Sequence, residues 1–211
     1  MSPTESLSGT RARLLVAARG EFAVHGMGGA RVGRIAERAG VSKERIYGYF
    51  GSKEGLFAAV VSEALTEHAA LLGPPSGDPG EYAGRIYDLH RSNPQLLRLM
   101  MWEALHYDGD GLPNEQPRGA RYREMVGTLS ETLGSGSDGG SGSASDGGSG
   151  SDGAAASTLL ALIGLAVLPT AFPQIARLIL GPAADDDTEL RSHIVRLARR
   201  MVAGPDVPTS S

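Results

Sequence analysis

The chain has 211 residues, of which 41% are hydrophobic and 21% are charged, as in a globular protein of one sizeable domain or two small ones. It contains no cysteine, which excludes disulfides, thiolate metal sites and a cysteine nucleophile. The formal net charge is −4, but residues 1–56 carry nine lysines and arginines against five acids, and the remainder carries 11 against 19. A basic N-terminal segment on an acidic remainder suggests contact with a polyanion.

The first predicted helix carries apolar residues at four-residue spacing, Leu14, Ala18 and Phe22, and ends at Gly26. A short second helix follows over residues 32–39, where apolar residues recur at i, i+3, i+4 and i+7. Both segments therefore have one face suited to a shared core.

A turn at Gly40 separates the second helix from a third, for which Ser42 is a suitable N-cap and which runs to about Phe50. Ser52 can cap a fourth helix, which ends at the Gly-Pro-Pro sequence of residues 73–75. Two short helices joined by such a turn form a helix-turn-helix, whose second helix enters the major groove of DNA.

The rest of the chain also shows helical patterns, and no segment has the alternation of a strand. Further helices are predicted around Tyr82 to Leu89, from Pro94 to Tyr107, near Arg118 to Leu133, at about 155–180 and at about 186–202. The sequence DGDGLPNEQP, residues 108–117, is predicted to be a loop. We therefore expect an all-α fold of about nine helices.

The segment 134–153 contains only glycine, serine, aspartate and alanine. These side chains bury too little apolar area to offset the entropy of ordering the chain, so we expect a disordered Gly/Ser-rich loop.

Residues 153–176 carry no charge, which leaves a membrane-associated helical protein, with this segment inserted in lipid, as the alternative. Pro169 and Pro173 interrupt the apolar run, and no aromatic belt flanks it. A helix buried on all sides within a helical protein fits better.

The predicted third helix presents cations and aromatic rings outward. Ile46 and Phe50 are four residues apart and can both face the core. The residues left on the outside are Lys43, Arg45, Tyr47, Gly48 and Tyr49. Arginine and lysine suit guanine edges or phosphates, and tyrosine hydroxyls donate to phosphates, so this face is typical of DNA binding.

Several motifs occur in order within residues 10–57. They are Phe22, Gly26, Ile35-Ala36, Ala39-Gly40-Val41-Ser42, Ile46-Tyr47-x-Tyr49-Phe50 and Lys53-Glu54-x-Leu56. The order and spacing resemble the DNA-binding head of tetracycline-repressor (TetR) family regulators. The resemblance implies a three-helix helix-turn-helix head at 8–56 and a helical effector-binding and dimerisation body at 57–204. It also implies a cytoplasmic, ligand-responsive repressor that binds a palindromic operator as a homodimer.

The resemblance assigns contacts by position. Phosphates would be held by Ser42, Tyr47, Tyr49 and Lys53, and base edges would meet Lys43, Glu44, Arg45 and Gly48. Glu44 can accept from a cytosine amine or only serve the helix N-terminus. Arg31, Arg34 and Arg38 can each touch phosphate or only solvate the helix, and we include Arg31 in the candidate interface.

Family members dimerise through their last two helices and release DNA when a small molecule enters the body. The implied dimer-interface residues are Leu159, Leu162, Ile163, Leu190, Ile194, Leu197 and Met201. Candidate effector-pocket residues are Phe57, Tyr82, Ile86, Tyr87, His90, Leu97, Met100, Met101, Trp102, His106 and Tyr107. Adjacent methionines beside a tryptophan suit an apolar or aromatic effector.

An enzyme is not expected. The sequence has no His-Glu-x-x-His, no Gly-x-Ser-x-Gly and no P-loop. GMGGARVG follows no predicted strand, so a dinucleotide site fails its structural requirement. HYDGDG lacks the spacing of a calcium loop. We therefore expect no catalytic residue, metal or cofactor.

Overall fold

The computed structural model describes residues 3–107, 111–135 and 148–203. In these ranges the chain forms ten α-helices and one 3₁₀-helix, and none of these residues lies in a strand. The helices are α1 Pro3–Gly29, α2 Val32–Ala39, α3 Lys43–Phe50, α4 Lys53–Leu72, α5 Pro79–Ser92, α6 Pro94–Tyr107, α7 Glu115–Ser135, α8 Gly148–Ala171, α9 Pro173–Leu180, the 3₁₀-helix Gly181–Asp185 and α10 Asp187–Ala203. The all-α prediction is confirmed, with one α-helix more than expected.

The chain divides into two compact units, and the division differs from the boundary expected after residue 56. The first unit comprises Met1–Leu71 and Asn93–Glu115, and the second comprises Leu72–Ser92 and Gln116–Ser211. α6 belongs to the first unit because Leu96 and Leu99 are fully buried in the same core as Phe22 and Phe57. The helix-turn-helix therefore shares its core with α4 and α6.

α1 is kinked at Gly26, where φ is 62° and ψ is −174°. Only glycine adopts this combination readily. The indole of Trp102 in α6 lies against it, since a Cβ at Gly26 would meet the ring at 2.6 Å. Gly26 thus ends the straight part of α1, as predicted, and also makes room for α6.

The second unit is built on a close approach of α5 and α10. A Cβ at Gly80 would meet the carbonyl oxygen of Val195 at 2.7 Å, and one at Gly84 would meet the Arg191 guanidinium at 2.8 Å. Two glycines one helical turn apart therefore allow the backbones to come together. Leu190 and Ile194 of α10 fill the core beside this contact.

The prediction of one helix at about 155–180 is wrong, because the structure forms two helices there. α8 ends at Ala171 and Pro173 opens α9. Proline has no N–H to donate to the preceding turn, so Pro173 fits the first turn of α9, where no such donor is needed. Pro169 lies inside α8, two residues before its end.

α8 is not buried on all sides, contrary to expectation. Ala155, Leu159, Leu162 and Ala166 are buried along one face of the helix, whereas Leu160 is 74% exposed on the other. A single protomer therefore leaves one apolar face of α8 uncovered.

Both predicted loops are shorter than expected at their edges. α7 begins at Glu115, so residues 115–117 are helical, and residues 108–110 lie outside the described residues. Gly134 and Ser135 end α7, and residues 148–153 begin α8. The remaining part of the expected Gly/Ser-rich loop, residues 136–147, lies outside the described residues.

Two segments within the described ranges, Lys53–Leu72 and Asp152–Ala171, are long and apolar enough to cross a membrane by length and composition alone. Within the most apolar 18 residues of each segment, 33% of the residues are buried in the first segment and 22% in the second. The first segment provides Leu56, Phe57, Val60 and Val61 to the core of the helix-turn-helix unit. Length and composition alone therefore do not distinguish α8 from a helix of the protein core.

Candidate nucleic-acid interface

The turn between α2 and α3 is fixed by local hydrogen bonds. Gly40 is left-handed, with φ 66° and ψ 39°, and its N–H donates to the carbonyls of Ala36 and Glu37. The N–H of Val41 also donates to the Ala36 carbonyl, at 3.0 Å. Ser42 caps α3 as predicted, its hydroxyl accepting from the N–H of Arg45 at 3.4 Å.

α3 has one buried side and one open side. Ile46 is fully buried, and Tyr49 and Phe50 are partly buried. Phe50 packs on the core and lies under the Arg11 guanidinium, whose Cζ is 5.6 Å from the ring centroid. The exposed residues are Ser42, Lys43, Glu44, Arg45, Tyr47 and Gly48. The predicted outward face is therefore present, except that Tyr49 is half-covered.

Glu44 is the one carboxylate among these exposed positions. Hydrogen bonds from its own backbone N–H and from the Ser42 hydroxyl hold its pKa below the ordinary value. The carboxylate thus sits at the positive end of α3. The sequence left two roles open for Glu44, a base contact and stabilisation of the helix N-terminus, and this geometry favours the second.

Cations gather at the first turn of α2. Arg31 is exposed at the N-cap position. Lys43 reaches back from α3, because a Cβ at Gly33 would lie 3.1 Å from its Cε and 3.5 Å from its Nζ. In helix-turn-helix complexes the first helix crosses the DNA backbone, so this location suits a phosphate contact for Lys43, whereas the resemblance implies a base edge for it.

The first turn of α4 forms the far edge of the surface. The Ser52 hydroxyl accepts from the N–H of Gly55 at 3.0 Å, which confirms the predicted cap. Lys53 is the first residue of α4 and is partly exposed. The candidate surface therefore runs from Arg31 through α3 to Lys53.

Two family models match this chain. Residues 14–60 match the bacterial regulatory proteins of the tetR family, and residues 78–138 match a tetracyclin repressor-like C-terminal domain. The transcriptional repressor SCO4008 of Streptomyces coelicolor is 33% identical over 193 residues, which are 92% of this chain and 95% of that protein. The chain belongs to the TetR family.

Solved structures agree with the TetR assignment. A transcriptional regulator of Streptomyces coelicolor, SCO4942, is 30% identical with a TM-score of 0.71, covering 91% of this chain and 97% of that one. A structure reported as the molecular basis for control of antibiotic production by bacterial hormones is 25% identical with a TM-score of 0.56, covering 94% and 97%. The chain is a DNA-binding transcriptional regulator, and the membrane-protein alternative is not retained.

The effector candidates of this TetR-family chain fall in both units. Those in the first unit are Phe57, Leu97, Met100, Met101, Trp102, His106 and Tyr107. Those in the second are Tyr82, Ile86, Tyr87 and His90, all of them buried. Phe57 packs edge-on against Phe22 at 5.0 Å and near His106 at 6.3 Å. Several candidates thus have packing roles of their own.

The TetR dimer-interface candidates need correction. Leu159, Leu162, Leu190 and Ile194 are buried in the core of their own protomer, so little of their surface is accessible to a partner, although Leu190 and Ile194 line an open cavity. The reason is that the broad inner face of α8 and α10 packs on α5 and the neighbouring core. The candidates that remain accessible are Ile163, which is partly buried, and Leu197 and Met201, which are exposed.

A cavity of about 510 Å³ opens between α8 and α10. It is lined by apolar side chains such as Leu168 and Leu197, together with His193, Arg196 and Arg200. None of the predicted effector residues lines it. It forms part of the uncovered apolar surface of these two helices.

One residue that shapes the DNA-binding unit was missed in the sequence. Glu21 of α1 is completely buried and is hydrogen-bonded to the start of α2. The only signal was a carboxylate one residue before Phe22, on the apolar side of a predicted helix. That signal does not reveal the partner, which lies ten residues further along the chain.

Proposed function

We propose that this TetR-family regulator is a cytoplasmic repressor that binds a palindromic operator as a homodimer and is released by a small apolar or aromatic molecule. The observation that carries the proposal is the open side of α3, where cations and a tyrosine are exposed around the buried anchor Ile46. The repressor activity of its relative SCO4008 supports the direction of regulation.

Base readout is assigned to the open side of α3. Arg45 is exposed one turn into the helix, where a guanidinium can donate two hydrogen bonds to guanine O6 and N7. Gly48 leaves the backbone accessible beside it. Glu44 serves mainly to order the helix end and to disfavour close phosphates near it.

Phosphate contacts frame this readout. Tyr47 is 47% exposed, so its hydroxyl can donate to a phosphate while its ring packs on the groove wall. Lys53 at one edge and Arg31 with Lys43 at the other supply cations about the groove. Ser42 and Tyr49 complete the set with hydroxyls. Such contacts fix the register of α3 on the duplex.

Two heads are required because one helix-turn-helix contacts too few base pairs for useful affinity. The accessible apolar residues of α8 and α10 supply the dimer surface, with Leu160, Leu168, Leu197 and Met201 exposed in the protomer. Leu168 and Leu197 line the same open cavity, and exposed apolar surface of this kind is typical of a protein interface. A second copy of the chain is the partner that family membership implies.

Each of the two units offers its own candidate residues for contact with the effector. Met100, Met101 and Trp102 offer polarisable, adaptable apolar surface. Tyr82 is buried, and its hydroxyl has no hydrogen-bond partner among the described residues. Desolvation by burial raises the pKa of Tyr82 to about 12, so the hydroxyl remains a donor. An aromatic effector with one acceptor atom would satisfy it.

The decisive experiment is a footprint of the purified protein on the DNA flanking its own gene, repeated with a small-molecule panel. A protected palindrome that one compound releases is the expected result. Lys53→Ala should weaken binding to all sequences and reduce the dependence of log K on log salt by about one unit. Arg45→Ala should cost roughly 1–3 kcal/mol at the operator and relax preference at one base pair.

Arg98→Ala is the matched control, because it removes an exposed cation from α6, an element outside the proposed surface. It should leave both operator affinity and salt dependence as in the parent. If Lys53→Ala and Arg45→Ala also behave like the parent, the assignment of the DNA-binding surface is wrong.

A further inference from the structure

A single buried carboxylate of α1 holds the beginning of α2. Oε1 of Glu21 accepts from the backbone N–H of Arg31 at 3.0 Å and from Nε of Arg34 at 2.8 Å. Nη2 of Arg34 is 2.7 Å from the same oxygen. On the other oxygen, Nη1 of Arg38 is 3.7 Å away and Nε2 of His25 is 4.0 Å away. Glu21 itself is fully buried.

This carboxylate replaces the local cap that α2 lacks. The N-cap residue, Arg31, makes no side-chain capping hydrogen bond, and the first turn of α2 contains no acidic residue. The open N–H groups and positive end of a helix N-terminus need an acceptor and favour negative charge. Glu21 provides both from a neighbouring helix.

Glu21 is ionised in this environment. Burial is the largest influence and opposes ionisation, but the Arg31 N–H and the Arg34 guanidinium together outweigh it, so the pKa of Glu21 lies below its ordinary value. A buried charge that loses its partners is costly, so the carboxylate and the turn that it holds depend on each other.

The turn that Glu21 holds carries part of the DNA-facing surface. Arg31 is exposed on it, and Lys43 lies across Gly33 within it. If this turn frays, Arg31 loses its position relative to α3, and Lys43 loses the backbone of Gly33 on which its side chain packs. Through its hydrogen bond with the Arg31 N–H, Glu21 thus influences where the side chains of Arg31 and Lys43 lie.

We propose that Glu21 is a positioning residue for DNA binding, which holds the first turn of α2 in its DNA-competent conformation through Arg31 and Arg34. The proposal rests on the DNA-binding surface assigned above. The proposal also gives Arg34 a structural role, because its guanidinium is bound to Glu21 and is therefore not available to a phosphate.

The sign of the effect separates positioning from simple electrostatics. Replacing an acid in a basic head removes repulsion from DNA, so Coulomb effects alone predict tighter binding for Glu21→Gln. Loss of positioning predicts weaker binding, because only the fraction of molecules with an ordered turn is competent to bind. The bound state keeps the same phosphate contacts, so the salt dependence should not change.

The test measures operator affinity of full-length Glu21→Gln at several salt concentrations, well below its unfolding temperature. We expect affinity to fall roughly tenfold, as for the loss of a good helix cap, with an unchanged salt slope. Hydrogen exchange should show faster exchange of the Arg31 amide. Arg34→Gln is a second variant in case Glu21→Gln does not fold, because the side chain that it changes is partly exposed. It should weaken binding less, also with an unchanged slope.

Glu67→Gln is the matched control, because it breaks an ion pair of the same unit, Arg19 Nη1 to Glu67 Oε2 at 2.5 Å, away from α2. It should bind like the parent. Parent-like or tighter binding by folded Glu21→Gln overturns the proposal, and so does a salt slope that falls by about one unit in Arg34→Gln. A parent protein that binds no DNA refutes the proposed function instead.

Discussion

Gly26 joins two structural requirements in one residue. Its φ of 62° with ψ of −174° suits glycine alone, and the Trp102 indole occupies the space that a side chain would take. The first requirement concerns the backbone of α1 and the second concerns the packing of α6. Either one by itself disfavours any other residue here.

We predict that Gly26→Ala destabilises the protein by roughly 2–3 kcal/mol, since it combines an unfavourable backbone conformation with a clash. Urea unfolding monitored by circular dichroism measures the change. Gly20→Ala is the control, because a Cβ at Gly20 meets nothing within 4 Å, and it should be neutral or slightly stabilising. Equal stability of the two variants would contradict the role of Gly26.

Residues also differ in how far the sequence predicts them. Gly40, Ser42 and Ser52 were predicted correctly because a turn or cap is decided by the next three or four residues. Glu21 was not, because its function depends on the position of α2 in space. The open face of α3 followed from spacing alone, but the packing of Lys43 on Gly33 did not.

At the scale of elements, α5 and α10 are held by charge as well as by close backbone contact. Asp78 pairs with Arg199, with Nε 2.7 Å from Oδ2, and its Oδ1 accepts from the Gly80 N–H at 2.9 Å. Arg191 bridges Asp88 at 2.8 Å and Glu81 at 3.1 Å. The pairs surround the two glycines at which the helices meet.

The charge pair should give stability a defined pH dependence. The Arg199 hydrogen bond is the main cause that holds the pKa of Asp78 below its ordinary value. A lowered folded-state pKa contributes stability above the unfolded-state value, near 4, and this stability is lost as pH falls through the folded value. Because the pair is partly exposed, we expect about 1 kcal/mol or less.

Asp78→Asn should therefore lower the free energy of unfolding at pH 7, and its deficit relative to the parent should shrink as pH approaches 3. Urea unfolding at both pH values measures this. Glu189→Gln, which removes an exposed acid of α10, is the control and should lower the free energy of unfolding at pH 7 less than Asp78→Asn does. A deficit for Asp78→Asn that is the same at both pH values would argue against the pair.

Elements show why amphipathic patterns predict helices better than their orientation. The helix predicted at about 186–202 is confirmed as α10, and it carries Leu190, Ile194, Leu197 and Met201. The structure buries only the first two, because close contact with α5 turns the inner face toward Ala198 and Val195. In α8 both faces are apolar, so the sequence could not show which one the protomer buries.

At the scale of the whole molecule, the proposed homodimer would link assembly to DNA binding through the accessible side of α8 and α10. Dimerisation supplies the second head, so an interface variant should lose affinity for a palindrome without a change in the head. The partner's contacts are expected to involve the exposed apolar residues, since the buried ones already pack within the protomer.

We predict that Leu197→Glu yields a folded monomer with greatly reduced operator affinity. Leu197 is 50% exposed, so the charge leaves the protomer core intact while opposing an apolar contact. Light scattering at micromolar concentration and gel shift measure the two effects. Leu71→Glu places the same charge on another exposed leucine and should remain dimeric. A dimeric Leu197→Glu protein would refute this interface.

Gly48 lies on the open side of α3, and a Cβ there would meet no atom within 4 Å. Its backbone is also helical, so the position accepts any of the ordinary helix-forming side chains without rebuilding the scaffold. New promoter preferences could thus arise by a single codon change at Gly48, while stability stayed the same or improved. In the proposed DNA-binding surface, Gly48 is therefore the position at which target choice can change most easily by evolution or engineering.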